Sequence, residues 1–240
     1  MFLLHLQICM RYRGKSFTQA LAIMGGRGSV SFSRKKRLPL HAFFKISMHK
    51  KTGLYFGSFN PIHIGHLIVA EYLLEHSDLQ ELWFVVSPAN PLKKRNTLLD
   101  DRQRWYMVNL AIGDDLRFRV SDVEFNLPKP SYTCHTLVHL QEKYPEREFA
   151  LLMGADNLQT FHKWLNYDWI LQHFDLYVYP RPGYSSENPY PNARVHFVDA
   201  PQIELSSTVI RENIKAGIPV RYMLPDKVHE YLEEMGFYKN

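Results

Sequence analysis

Cysteine is scarce in this sequence: Cys9 and Cys134 are the only two among 240 residues. Two are too few for a disulfide framework, and no CxxC pair suggests zinc, so a reducing, cytoplasmic setting is expected. No apolar run approaches the roughly 20 residues that a membrane-spanning helix needs. The opening MFLLHLQICM is apolar but short, is broken by His5 and Gln7, and lacks the positive charge that precedes the apolar part of a secretory signal. No membrane association is expected from it. Internal repeats and low-complexity tracts are absent from the body of the chain. These absences exclude a disulfide-stapled miniprotein, a membrane anchor and a repeat array.

Acidic residues are missing from the first 70 positions, Glu71 being the first. The chain carries 29 Lys and Arg against 24 Asp and Glu, a formal charge of +5. Nine of those bases fall within residues 1–47, from Arg11 to Lys45. Without them 20 bases face 24 acids, a net charge of −4. The basicity therefore belongs to a leader, and no nucleic-acid partner is expected for residues 48–240. Three readings fit residues 1–47: a start placed too far upstream with Met48 beginning the working protein, an organelle transit peptide, or an RNA- or membrane-binding arm built on SRKKR. The first is preferred, because a regular strand pattern begins just after Met48.

From there strands and helices alternate. Apolar runs at 52–56 and 81–86 read as buried strands, those at 149–153, 176–179 and 195–198 as further strands, and 118–120 as a weaker one. Helical spacing covers 64–74, 100–112, 133–144, 166–173, 207–215 and 226–235, with Gly236 placed to end the last. In the first of these Leu67, Ala70, Tyr72 and Leu74 are expected to form the core stripe, and in the second Trp105, Val108 and Ile112. The pattern predicts a single α/β domain over 48–240: a Rossmann-like open parallel sheet with helices on both faces.

Chemistry concentrates where the first strand meets the first helix, in Gly57-Ser58-Phe59-Asn60-Pro61-Ile62-His63-Ile64-Gly65-His66. Open α/β sheets bind ligands outside the carboxyl ends of their strands. Gly57 permits a tight turn and close approach of backbone to phosphate, and Pro61 suits a turn or a first helical position. A helix start offers unpaired N–H groups and partial positive charge to an anion. His63 and His66, three apart, share one side of a turn and can both donate to a triphosphate. A lone HxxH pair is often plain packing; the joint occurrence of Gly, Phe, Pro, His, Gly and His in ten residues raises the signal. Near the C-terminus, Leu205-Ser206-Ser207-Thr208-Val209-Ile210-Arg211 opens another helix, with a serine to cap it and Arg211 as a fixed donor fork.

The first stretch, GxFxPxHxGH, resembles the phosphate loop of the nucleotidyltransferase superfamily, which shares a HxGH loop on a Rossmann-like sheet with class I aminoacyl-tRNA synthetases. The second is similar to that family's ISSTxIR motif, with Leu205 in place of Ile. The resemblance implies that His63, His66 and Arg211 act on the ATP phosphates in the transition state. It implies that Gly57, Ser58, Phe59, Gly65, Ser206, Ser207 and Thr208 bind ATP. Three further segments are similar to the bacterial-type nicotinate-nucleotide adenylyltransferases: SPANPLK with Lys93, PSYT with Tyr132 and Thr133, and GADNL with Asp156 followed by FHKW with Trp164. They imply an acceptor site made by Lys93, Tyr132, Thr133, Asp156 and Trp164, the indole of Trp164 stacking on a pyridine ring. Thr133 and Asp156 can also be read as helix caps, Trp164 as core, and Lys93 as part of a solvated basic loop; Trp83, Trp105 and Trp169 are read as core.

The family implies two substrates, ATP and nicotinate mononucleotide, giving nicotinate adenine dinucleotide and pyrophosphate. Mg²⁺ is expected to arrive on the ATP phosphates, since no carboxylate cage stands out in the sequence and no protein metal site is expected. Nicotinamide mononucleotide or another phosphorylated acceptor is the alternative, and a catalytically silent nucleotide-binding regulator is the alternative of another class. A homo-oligomer is compatible with everything above.

Overall fold

The computed structural model describes residues 50–88 and 98–239. Lys93 and the leader 1–47 lie outside them. Six strands form one sheet in the order β3-β2-β1-β4-β5-β6, every neighbouring pair parallel. They are β1 (Lys50–Gly57), β2 (Glu81–Val86), β3 (Phe118–Ser121), β4 (Arg147–Gly154), β5 (Asp175–Tyr179) and β6 (Val195–Phe197). This is the doubly wound order, whose direction of winding reverses between β1 and β4.

The helices are α1 (Ile64–Glu75), α2 (Asp101–Ile112), α3 (Thr133–Lys143), α4 (Ala155–Gln159), α5 (Tyr167–His173), α6 (Ser207–Lys215) and α7 (Asp226–Met235). Successive strand residues point to opposite faces, and each face has its own core. Tyr55, Phe84, Val86, Leu152 and Tyr177 meet α1, α2, α6 and α7 on one side. Leu54, Trp83, Val85, Leu151 and Val178 meet α3, α4 and α5 on the other. Strands buried on both faces read as continuous apolar runs, which is why ELWFVV and FALLM show no alternation. Gly236 ends α7 in the left-handed conformation, with φ +64°.

The helical stripes differ in detail from the expectation. In α1 the buried residues are Gly65, Val69, Ala70, Leu73 and Leu74, while Leu67 and Tyr72 are only partly covered. In α2 they are Arg104, Met107 and Val108, and Trp105 and Ile112 lie at the margin. An apolar side chain at a stripe's edge covers the core without being enclosed by it. Of the tryptophans read as core, Trp83 is enclosed and Trp169 partly covered. Short elements escaped the pattern because they hold less than two turns: α4 and the 3₁₀ segments 123–126, 161–163 and 221–223.

Candidate active site

The loop from β1 to α1 starts at Gly57, whose carbonyl accepts the Ser87 N–H at 2.9 Å and so ties it to the end of β2. Phe59 then adopts φ +44°, the left-handed region that a side-chain-bearing residue enters at a cost of about 1–3 kcal/mol. Its ring turns back into the core against Tyr55, Phe84 and His66, with centroids 5.7, 5.5 and 5.1 Å away. Burying that ring offsets the strain. A Cβ at position 57 would come within 2.7 Å of the ring. Gly57 is thus required by Phe59, a cause absent from the sequence reading. The Phe59 side chain is core, so any contact of this residue with ATP is confined to its backbone. Pro61 lies in the turn rather than at a first helical position.

His63 is the N-cap of α1, with extended backbone. Its N–H donates to Nδ1 of His66 at 3.2 Å, and the His66 N–H donates to the His63 carbonyl at 3.0 Å. The two imidazoles lie 3.7 Å apart. Because Nδ1 of His66 accepts, the neutral ring carries its hydrogen on Nε2 as a donor. His63 is buried, which lowers its pKa to about 4 with help from the nearby Arg181 cation. It is neutral at pH 7, and its Nδ1 is buried without a protein partner. Gly65 lets the His63 ring lie flat on the helix start, for a Cβ there would sit 3.1 Å from it.

The start of α6 docks on this loop. Ser207 Oγ donates to the Pro61 carbonyl at 2.9 Å, and Arg211 Nη1 to the Asn60 carbonyl at 2.8 Å. Arg211 Nη2 also reaches Thr208 Oγ1 at 3.2 Å, and Ser206 Oγ caps the helix by accepting the Val209 N–H. Two helix starts therefore face one place. The hydroxyls at 206–208 each hold a protein partner here, which makes them braces of the helix start, while its backbone N–H groups carry the positive end of the dipole.

At the end of β4, next to β1, Asp156 sits in the first turn of α4. Gly154, not Asp156, is the N-cap, so the capping explanation for this carboxylate falls away. Asp156 lies 3.8 Å from Nε of Arg181, which follows β5. A Cβ on Gly154 would collide with the Asp156 carboxylate and crowd the Arg181 stem. Oδ1 of Asp156 is buried without a hydrogen-bond partner. Trp164 is half-buried, its ring 4.9 Å from Phe161. Tyr190 Oη accepts the His162 N–H at 3.1 Å, anchoring this segment.

Tyr132 is the N-cap of α3 and Thr133 its first residue; neither makes a side-chain capping bond, because the extended backbone at the N-cap belongs to Tyr132. Both are half-buried, and the adjacent Ser131 Oγ is buried without a partner. Asn166 Nδ2 approaches Cys134 Sγ at 4.0 Å, linking the start of α3 to the loop after Trp164. The predicted residues thus form two groups. His63, His66, Thr208, Arg211 and, through Arg181, Asp156 gather at the ends of β1, β4 and β5. Tyr132 and Trp164 pack against the second core, and Thr133 follows Tyr132 at the start of α3. Buried polar atoms without partners are rare in proteins; among the described residues two of them, on His63 and Asp156, fall in the first group, and a third, on Ser131, adjoins the second.

Arg181, Arg104 and Glu124 were not anticipated. Arg181 had a signal: a cation directly after an apolar strand, in LYVYPRP, lies where α/β sheets bind ligands. Arg104 had a fainter one, a cation three and four residues before Met107 and Val108 on a buried stripe. Glu124 had none that we recognise.

Comparison with known proteins shows the family. A family profile described as cytidylyltransferase-like matches residues 54–213. A Flavobacterium johnsoniae protein named "Probable nicotinate-nucleotide adenylyltransferase" is 54% identical over 191 residues, 79% of this chain and 99% of that one. A Bacteroides fragilis protein of the same name is 49% identical over 180 residues, 75% of this chain and 90% of that one. Among solved structures, Plasmodium falciparum nicotinic acid mononucleotide adenylyltransferase complexed with NaAD superimposes with a TM-score of 0.66 at 16% identity, covering 80% of this chain and 98% of that one, which bears on the fold alone. Matched at that identity over nearly the whole length of its relatives, the chain belongs to the nicotinate-nucleotide adenylyltransferase family of cytidylyltransferase-like proteins.

Proposed function

We propose that this protein transfers the AMP part of ATP to nicotinate mononucleotide, forming nicotinate adenine dinucleotide and pyrophosphate. The observation that carries the proposal is the docking of α6 on the β1–α1 loop through Ser207 and Arg211. It turns two helix starts and two imidazoles toward one anion site. The names of the relatives supply the acceptor.

An oxygen of the mononucleotide 5′-phosphate attacks the α-phosphorus of ATP in line. The new P–O bond completes the dinucleotide, and the bond from the α-phosphorus to the bridging oxygen breaks, releasing pyrophosphate with that electron pair. The attacking phosphate is already an anion, so no protein nucleophile or strong base is needed. Catalysis rests on alignment and on neutralising charge that builds on the leaving group. His66 Nε2–H, Arg211 and the helix starts fit that task. His63, neutral at pH 7, serves as a hydrogen-bond donor or acceptor rather than as a cation. Among the described residues no group of three His, Cys, Asp or Glu is suited to hold a metal. Mg²⁺ enters bound to ATP, as part of the substrate.

Asp156 is suited to accept bonds from ribose hydroxyls, with Arg181 setting its orientation. Tyr132, Thr133 and Trp164 line the acceptor side, Trp164 offering its face to the pyridine ring; Lys93 belongs to the same proposal on sequence grounds. Residues 48–240 form the catalytic domain. Among the described residues no helix is long and apolar enough to cross a membrane, and a reducing cytoplasm suits the buried free thiol of Cys134. The test is pyrophosphate release by the full chain with ATP, Mg²⁺ and either pyridine mononucleotide. Faster turnover with the nicotinate form is expected; release with neither would overturn the proposal.

A further inference from the structure

Arg104, in α2, is fully buried, and all five N–H groups of its guanidinium find acceptors. Nε donates to the Leu99 carbonyl at 2.9 Å. Nη1 donates to the carbonyls of Ser58 at 2.5 Å and Ser87 at 2.9 Å. Nη2 reaches the Pro88 carbonyl at 3.3 Å and the Asp101 carboxylate at 2.5 Å. Burial lowers its pKa, and Asp101 works against that shift.

A buried charge that only held α2 in place would be a poor device, because an apolar residue of similar size is often no less stabilising there. Its partners suggest another purpose. Ser58 belongs to the loop proposed to take the ATP phosphates, while Ser87 and Pro88 end β2. Ser87 has further ties: its N–H reaches Gly57, and its side chain meets Glu124. Glu124 accepts from Thr136 Oγ1 at 2.8 Å, in the helix that begins at Tyr132 and Thr133. One planar fork thus grips the ATP loop and the strand end through which the acceptor side is attached. A guanidinium can do this because its donors are coplanar and diverge at fixed angles; an ammonium cannot.

We infer that Arg104 is a positioning residue for adenylyl transfer, its guanidinium fixing the phosphate loop at Ser58 relative to the end of β2 at Ser87 and Pro88. This rests on the proposed function. Losing the grip would misalign the two substrates in the transition state more than it would weaken either in the ground state.

The test compares the full-length wild type with Arg104→Lys and Asp101→Asn, each checked by circular dichroism to be folded at the assay temperature. Arg104→Lys is expected to lower kcat by on the order of 10²-fold, the scale of a 1 Å misplacement, with KM for ATP near wild type. Asp101→Asn keeps the four carbonyl contacts and is expected to keep kcat. An unchanged kcat in folded Arg104→Lys, or an equal loss in Asp101→Asn, overturns the inference. Should Arg104→Lys not fold, the Nε–H resonance of Arg104 in ¹⁵N-labelled wild type decides. It is expected to shift on adding ATP and on adding the mononucleotide; no response to either overturns the inference. An inactive wild type would instead refute the proposed reaction.

Discussion

His66 is the side chain with the most direct part in the proposed chemistry. Its Nδ1 accepts the His63 N–H, which makes Nε2 the hydrogen-bearing, donor nitrogen of the neutral ring. His66→Ala is expected to lower kcat by roughly 10²–10³-fold, the scale for loss of one transition-state donor, while KM for ATP changes little. A variant weakened in ATP binding alone, with turnover intact, would remove His66 from that role. His63 makes a different contribution. Its pKa is about 4 in the folded protein and near 6.5 in the unfolded chain. Between those values the unfolded chain binds a proton that the folded protein refuses. Stability from this group is therefore complete above about pH 6.5 and falls as pH drops toward 4, by roughly 3 kcal/mol at most. Melting temperatures of the wild type and His63→Asn across that interval should converge in slope only if this account is wrong; the variant is expected to be the flatter.

Among elements, the segment from α4 through the 3₁₀ turn 161–163 carries Asp156 at one end and Trp164 at the other. Tyr190 ties its middle to the chain that follows β5. With that anchor in place, Trp164→Ala should remove a stacking face without unseating Asp156. KM for the pyridine mononucleotide is expected to rise on the order of tenfold, about 1.4 kcal/mol, with KM for ATP unchanged. Steady-state kinetics with each substrate varied in turn decides this, and an unaltered acceptor KM would place Trp164 outside the site. The starts of α1 and α6 are proposed to serve the other substrate. Their closeness depends on Ser207 and Arg211 gripping the carbonyls of Pro61 and Asn60, a long-range contact between segments about 150 positions apart.

At the scale of the whole molecule, the proposed reaction is expected to need only residues 48–240. Deleting 1–47 is expected to leave kcat and both Michaelis constants as they are; a large loss of activity in a folded truncation would show that the leader takes part. The regular architecture was legible in the chain because it follows from local periodicity: apolar runs of strand length alternate with 3.6-residue patterns, and that alternation dictates a parallel sheet covered on both faces. The strand-end loop proposed to take phosphate also stood out, since glycine, proline and paired histidines cluster within ten positions there. Long-range partnership was not. Nothing local says that Gly57 makes room for the ring of Phe59, that Arg104 turns inward to hold carbonyls from three separate segments, or that Arg181 lies beside Asp156. Composition and periodicity thus determined which elements form. Only the folded chain decided which buried charges hold them in register, because hydrogen bonds between distant segments leave no period in the sequence.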